Sequence, residues 1–435
     1  MLVAATAFLF GGSYFASLLF PGLLSLGLLI VYRPWTGSFE RRSLDLALLV
    51  SAGMVAFQLV PLPAAWVDVL SPTDRHIRLA LSLRAVVGPL PISVDSSATV
   101  WAFAVFAGAV AVFFVARRVF DTGGVRTVLR GVAGTGLVLS ALCLAQDATG
   151  NGLMYWRWKP PFEVAYPFGP FINRNHYATW AVMAVPAVLG YLLAHGWVHT
   201  RATPRASWRA RLGLFDGRSL WLASAVVVML VGLVASLSRS GMIGMAAAFA
   251  AAIYWRGRHS DAPVSRWAIG ALLLAAAGAA IRIDPVELYH RFAASGVAVS
   301  DRLSIWRATL PVIQDFWLTG AGAGTFETVM LVYERTPSLF RINAAHNHYL
   351  QVAAEGGLLL AAPVAVTLGL FARDGWRWLA DDRSAAGLMR IGAFSGLVGA
   401  AVQSLWETGL TTPANAVLAA VLGAIVVHRG QGAAD

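Results

Sequence analysis

The segment RINAAHNHYLQVAAEGGLLLAAPVAV sets two imidazoles and a carboxamide, His346, Asn347 and His348, where a long polar stretch runs into an apolar one. Imidazole is the side chain best suited to moving protons near neutral pH. Glu355 and the pair Gly356-Gly357 stand just behind the triplet. The His-x-His spacing suits a metal, but no third ligand is evident. A proton-transfer role for His346 is therefore the sharper expectation, and a loop-ordering or capping role the plainer one. His348 and Asn347 read as support, and Glu355, inside the following apolar segment, as a group that must be paired or hydrated.

Three arginines flanked by small or polar residues add a second kind of chemistry. Arg174 lies in GPFINRNHYATW, Arg239 in SLSRSGMIG and Arg302 in SDRLSIWR. Guanidinium groups grip phosphate oxygens bidentately, and two or three of them neutralise a diphosphate. Each arginine alone is explained by snorkelling to a membrane interface. Their joint occurrence, with no surplus of Asp or Glu nearby, points to a bound anion. Asn173, Asn175 and His176 flank Arg174 and either contact the same ligand or order their loop. Tyr349, Trp306 and Trp317 suit sugar faces, although interfacial anchoring is the commoner role of such aromatics.

The elements that position these residues are read from hydropathy. The 435-residue chain is 58% hydrophobic and only 13% charged, with a mean hydropathy of +0.66. A soluble domain carries roughly twice that charged fraction. The expected fold is an all-α polytopic membrane protein with about twelve transmembrane helices. The spans are placed near 1–12, 14–32, 44–61, 98–116, 125–145, 174–194, 219–236, 240–255, 266–282, 350–371, 389–406 and 414–428. No signal peptide is read at the N-terminus, and the first span looks short enough for the true start to lie upstream. The net charge of +11 rests on arginine, Lys159 being the only lysine. A GC-rich coding bias explains that trend, and no nucleic-acid partner is expected. The single cysteine, Cys143, excludes an intrachain disulfide and a thiolate metal site.

Arginine-rich connections alternate along the chain: Arg33, Arg41 and Arg42; Arg117, Arg118 and Arg126; Arg201 to Arg218; Arg256, Arg258 and Arg266; Arg373, Arg377 and Arg383. By the positive-inside rule these are cytoplasmic, and so are both termini. The remaining connections, about 62–97, 146–173, 237–239 and 283–349, face outward with the histidines and the three special arginines. Residues 1–282 then hold nine spans, 283–349 form a large helical outer loop, and 350–435 hold three more spans. Within the large loop Ser300-Asp301 reads as a helix start, Pro311 as a kink, and Gly320 to Gly324 as a tight turn. The stretch 62–97 reads as an amphipathic helix on the outer membrane surface. No Asp-x-Asp or Glu-x-Asp element occurs in the outward connections, so arginine rather than a metal is expected to supply the positive charge.

These residues resemble the O-antigen ligase and polymerase superfamily of bacterial inner-membrane glycosyltransferases. The ligase signature is His followed by Asn, Ser or Gln, then nine residues, then Gly; His346-Asn347 and Gly357 fit it. GPFINRNHYA is similar to the family's aromatic-Asn-x-Asn-His element, SLSRSG to its Ser-Arg-small element, and DRLSIWRATLPVIQDFWLTGAGAGTF to the run into its main periplasmic loop. The likeness covers about residues 168–360. It implies a GT-C-type fold with a periplasmic active site and inverting, metal-independent transfer without a cofactor. It also implies a glycan donor carried on undecaprenyl diphosphate. The acceptor is lipid A-core in a ligase and an undecaprenyl-linked oligosaccharide in a polymerase. Carried over by motif, Arg174, Arg239 and Arg302 hold the diphosphate and His346 deprotonates the acceptor hydroxyl. Leu358-Leu359-Leu360 follow Gly357 where ligases often carry hydroxylated residues, which keeps the polymerase branch open. A solute transporter also fits twelve spans, but no internal repeat is visible.

Overall fold

The computed structural model describes residues 1–33, 42–81, 88–150, 152–160, 166–202, 216–259, 295–334 and 341–428. Among them the regular structure is helical, interrupted only by isolated β-bridges. In chain order the helices are α1 (Leu2–Phe8), α2 (Phe15–Tyr32), α3 (Arg42–Phe57), α4 (Ala64–Leu70), α5 (Asp74–Leu81), α6 (Ser96–Phe120), α7 (Val125–Thr149) and α8 (Arg174–Ala202). They continue with α9 (Gly217–Ala235), α10 (Arg239–His259), α11 (Ser295–Asp315), α12 (Phe326–Tyr333), α13 (His348–Asp381), α14 (Ala385–Gln403) and α15 (Pro413–Val427).

Six of the described helices are long and apolar enough to cross a membrane: α6, α7, α8, α9, α13 and α14. Shorter apolar stretches occur at Gly22–Tyr32, Ser43–Phe57 and Pro413–Val427. The expected first span is different. Its helix ends at Phe8, is only about 10 Å long at 1.5 Å per residue, and gives way to a turn with Gly11 and Gly12 at positive φ. The expected span 266–282 lies outside the described residues, as does 283–294 of the large loop.

Helices α8, α10 and α14 form the centre. They approach through small residues: a methyl group at Gly190 would lie 2.6 Å from the Leu388 carbonyl oxygen, and one at Gly396 2.5 Å from that of Met183. Gly399 and Gly244 meet in the same way. In an apolar solvent, where no hydrophobic force drives helices together, such backbone-to-backbone packing is the main source of cohesion.

Two connecting segments differ from expectation. The helix expected to start at Ser300-Asp301 already includes Ser295 and runs unbroken through Pro311 to Asp315. Val312 and Phe316, both 1% exposed, anchor its end in a core of their own, and that burial offsets the backbone bond the proline forfeits. Among the described residues of the stretch 62–97 there is not one surface helix but the two short ones, α4 and α5. Ile77 of α5 joins the cluster of Val312, Phe316, Phe326 and Val329. Arg78 ties the helix down through Asp74 at 2.6 Å and the carbonyls of Pro91 and Ser93 at 2.7 Å. Ile77 is spent on protein, while Leu79 and Leu81 of the same helix stay exposed.

The glycine run 316–325 is an irregular stretch driven into the helical body. Helix α13 breaks at Gly357 (φ 54, ψ −163), and the glycine run pairs with the break as a short strand would. Ala321 and Gly322 donate to the carbonyls of Ala354 and Glu355, and Leu358 and Leu359 donate to those of Trp317 and Leu318, all at 2.8–3.0 Å. Gln58, directly after α3, bridges both sides, donating to the carbonyls of Thr319 and Glu355 and accepting from Ala323 N–H, each at 2.9 Å. Non-helical backbone at membrane depth persists only where protein satisfies its polar groups, as here.

Candidate functional site

Residues 341–347 deliver the histidines to the start of α13. Asn347 is the N-cap: its Oδ1 accepts the N–H groups of Tyr349 and Leu350 at 3.1 Å. That is the chemistry Asn and Ser perform at this position, which explains why either can follow the histidine of the signature. His346 itself sits at φ 48, a left-handed conformation that costs an L-residue about 1–2 kcal/mol. The preceding peptide is clamped on both sides. The Ala345 carbonyl accepts Trp306 Nε1–H at 3.0 Å, and its N–H donates to Gln351 Oε1 at 3.2 Å. Trp306, a candidate for stacking on sugars, is thus committed to holding the loop.

The bend points the His346 ring at Glu407, in the link between α14 and α15. Nδ1 lies 3.5 Å from Glu407 Oε1, an electrostatic contact longer than a formed hydrogen bond. The carboxylate side chain is 2% exposed and the ring 30%. Glu407 Oε2 accepts Asn175 Nδ2–H at 2.6 Å, and Oε1 accepts the Thr408 N–H at 3.1 Å. Burial works against ionising this carboxyl, yet His346, His176 and the Thr408 N–H outweigh it and hold its pKa down to about 2. Glu407 was not among the residues read from the sequence. A single acid in the apolar stretch SLWETGLTTPAN was the signal that could have found it.

The start of α8 closes the other side. Asn173 Oδ1 accepts the Asn175 N–H at 2.9 Å. His176 Nδ1 meets Thr412 Oγ1 at 2.9 Å, and Asn415 Nδ2–H binds the His176 carbonyl at 3.0 Å. Asn175 and His176 are therefore brought together with His346 around Glu407. His348 donates its backbone N–H to Ser404 at 2.8 Å, fastening α13 to the end of α14.

The arginines occupy the same end of the bundle. Arg174 begins α8, one residue before Asn175, with its guanidinium 5.0 Å from the Tyr166 ring centre. Arg239 begins α10 after a turn that holds Leu237 at φ 53; Ser238 Oγ accepts the Gly241 N–H at 3.2 Å, and Gly241 packs on Ala178 of α8. Arg302 stands one helical turn before Trp306, the residue that grips Ala345.

Glu355 is placed elsewhere. Its carboxylate accepts Gly324 N–H at 2.8 Å, Phe326 N–H at 3.2 Å and Gln351 Nε2–H at 3.0 Å. It orders the glycine run and the start of α12, and reaches the His346 loop only through Gln351.

Residues 224–365 match the family model described as O-antigen ligase. Over those residues the chain is similar to the O-antigen ligase family. The resemblance carried by the motifs is borne out over that stretch, and the six long apolar helices are those of a membrane-spanning type of protein. The matched stretch spans about a third of the chain and contains Arg239, Arg302, His346 and Gly357. Arg174, Asn175, His176 and Glu407 lie outside it, and the folded chain brings the last three to His346. A search of curated proteins found no match to this chain.

Proposed function

We propose that the protein is an O-antigen ligase-type glycosyltransferase of the GT-C type in the bacterial inner membrane. It moves a glycan from undecaprenyl diphosphate to a sugar hydroxyl of lipid A-core at the periplasmic face. The observation that carries this reading is the strained bend holding His346 against buried Glu407, at the bundle end where Arg174 and Arg239 begin their helices. With Nδ1 turned to the carboxylate, Nε2 is the nitrogen left for the acceptor. The acceptor oxygen attacks the anomeric carbon as its proton passes to Nε2. The bond from that carbon to the diphosphate oxygen breaks with its electron pair, in one inverting displacement. Glu407 stabilises the imidazolium that results, as a buried carboxylate beside a catalytic histidine does. Arg174, Arg239 and Arg302 take up the charge developing on the departing diphosphate, with no metal required.

The run Leu358-Leu359-Leu360 favours a second reading, a polymerase whose acceptor is another undecaprenyl-linked oligosaccharide. Purified protein supplied with the lipid-linked donor and each acceptor in turn decides between them. For either reading, His346→Ala is expected to lower transfer by roughly 10²-fold or more, and Arg239→Ala to act in the same direction. Full transfer by both variants, with protein present at normal level, sinks the proposal.

A further inference from the structure

The connection between α7 and α8 carries the run Tyr155-Trp156-Arg157-Trp158-Lys159, which the proposed chemistry does not use. It is a tight hairpin closed by the Met154–Trp158 bridge, with Tyr155 and Trp156 both left-handed at φ 51 and 60. Its geometry is over-determined: Tyr155 N–H binds Gln146 Oε1 at 2.8 Å, Tyr155 Oη–H binds the Phe8 carbonyl, and Trp156 Nε1–H binds Thr149 Oγ1 at 2.9 Å. Phe10 wedges edge-on against Tyr155 and Trp158. Despite this anchoring, Trp156 and Trp158 remain 42% and 50% exposed, and the Arg157 guanidinium lies 5.8 Å from the Trp158 ring centre.

The hairpin is continuous with the site. The turn Phe10–Gly12 that supports it packs Gly11 and Gly12 on Thr412 and Pro413, and Thr412 holds His176. On the far side of the same connection Tyr166 faces Arg174. Tryptophans that merely anchor a protein at a lipid interface need no fixed backbone. Two adjacent left-handed non-glycine residues are costly and persist because the surrounding hydrogen bonds over-determine them, which fixes where their rings stand. Rigid exposed indoles edged by cations match a sugar chain, whose C–H faces stack on aromatic rings while its hydroxyls or acid groups meet the basic side chains.

We infer that the Tyr155–Lys159 hairpin is a glycan-stacking surface, with Trp156 and Trp158 receiving pyranose rings of the saccharide handled beside His346. The identity of the saccharide rests on the glycosyltransferase reading. The test uses full-length protein in lipid nanodiscs and the lipid-free oligosaccharide released by mild acid from the host's lipid-linked glycans. Oxidative footprinting of the wild type is expected to show Trp156 and Trp158 protected by the oligosaccharide. The Trp156→Ala/Trp158→Ala double variant is expected to bind about tenfold more weakly, and the corresponding Phe double variant to bind normally. Unchanged footprints on adding oligosaccharide, including rings already shielded by bilayer alone, overturn the inference, as does normal binding by the Ala double variant. Should that variant not fold, the wild-type footprint decides by itself. Binding is read without transfer, so a His346→Ala protein that still transfers glycan removes the proposed function and leaves this result standing.

Discussion

A histidine in a left-handed bend, three bonds from a helix cap and 3.5 Å from a buried carboxylate, is costly in every respect except function. The pairing makes a specific demand on pH dependence. Glu407→Gln removes the charge that favours the imidazolium while keeping the Asn175 contact nearly isosteric. Transfer by that variant should fall roughly tenfold or more, and the acid limb of its pH–rate profile should move to lower pH. A loss of rate with an unmoved limb would mean that Glu407 acts on folding alone. The same carboxyl links stability to acid. Its pKa in the folded protein, about 2, is below that of an unfolded Glu, so its stabilisation is complete above the unfolded pKa and is lost as pH falls through the folded one. Thermal unfolding of the purified protein across that acid range should show a shallower decline for Glu407→Gln than for wild type.

At the scale of elements, the motif His346-Asn347-x9-Gly357 is a set of backbone instructions. Asn347 caps the helix, and Gly357 breaks it where the glycine run enters. A side chain at Gly357 would strain a positive φ and collide with the backbone of Leu318 and Gly320. Gly357→Ala should therefore displace the glycine run and lower the melting temperature and the folded yield in detergent, while Gly369→Ala, with open space around it, leaves both unchanged. Asn347→Ala should cost about 1 kcal/mol of cap, with Asn347→Ser restoring most of the loss in the same melting assay. Six of the spans were legible because hydropathy is a local property, and the signature was legible because its spacing is local too. The break at Gly357 was not, since it exists only to receive Gly320 and its neighbours. Glu407 escaped for the same reason: its partners His346, Asn175 and Thr408 are brought together by three separate connections. The helix through Pro311 and the docking of α5 show tertiary burial overriding what proline and amphipathic patterning suggest when read alone.

On the scale of the whole molecule, the two ends of the bundle differ in charge chemistry. The site end holds the starts of α8, α10, α13 and α15. The other end holds Arg117, paired with Asp45 of α3 at 2.6 and 2.8 Å, and Arg390, which joins Asp382 to the His428 carbonyl. Those ion pairs fasten α6 to α3 and α14 to α13 and α15 where the arginine-rich connections gather. The positive-inside rule predicts the cytoplasm for that end and, with the proposed function, the periplasm for the His346 end. Cys143, the only cysteine, is buried, so single introduced cysteines report orientation against a silent background. Arg341 has a side chain 73% exposed near the site, and Arg118 is exposed at the far end. A membrane-impermeant maleimide applied to spheroplasts should label Arg341→Cys directly and Arg118→Cys only after the membrane is opened. The reverse pattern would put His346 on the side where nucleotide-activated rather than lipid-carried sugars are available, and the ligase chemistry would have to be abandoned with the orientation.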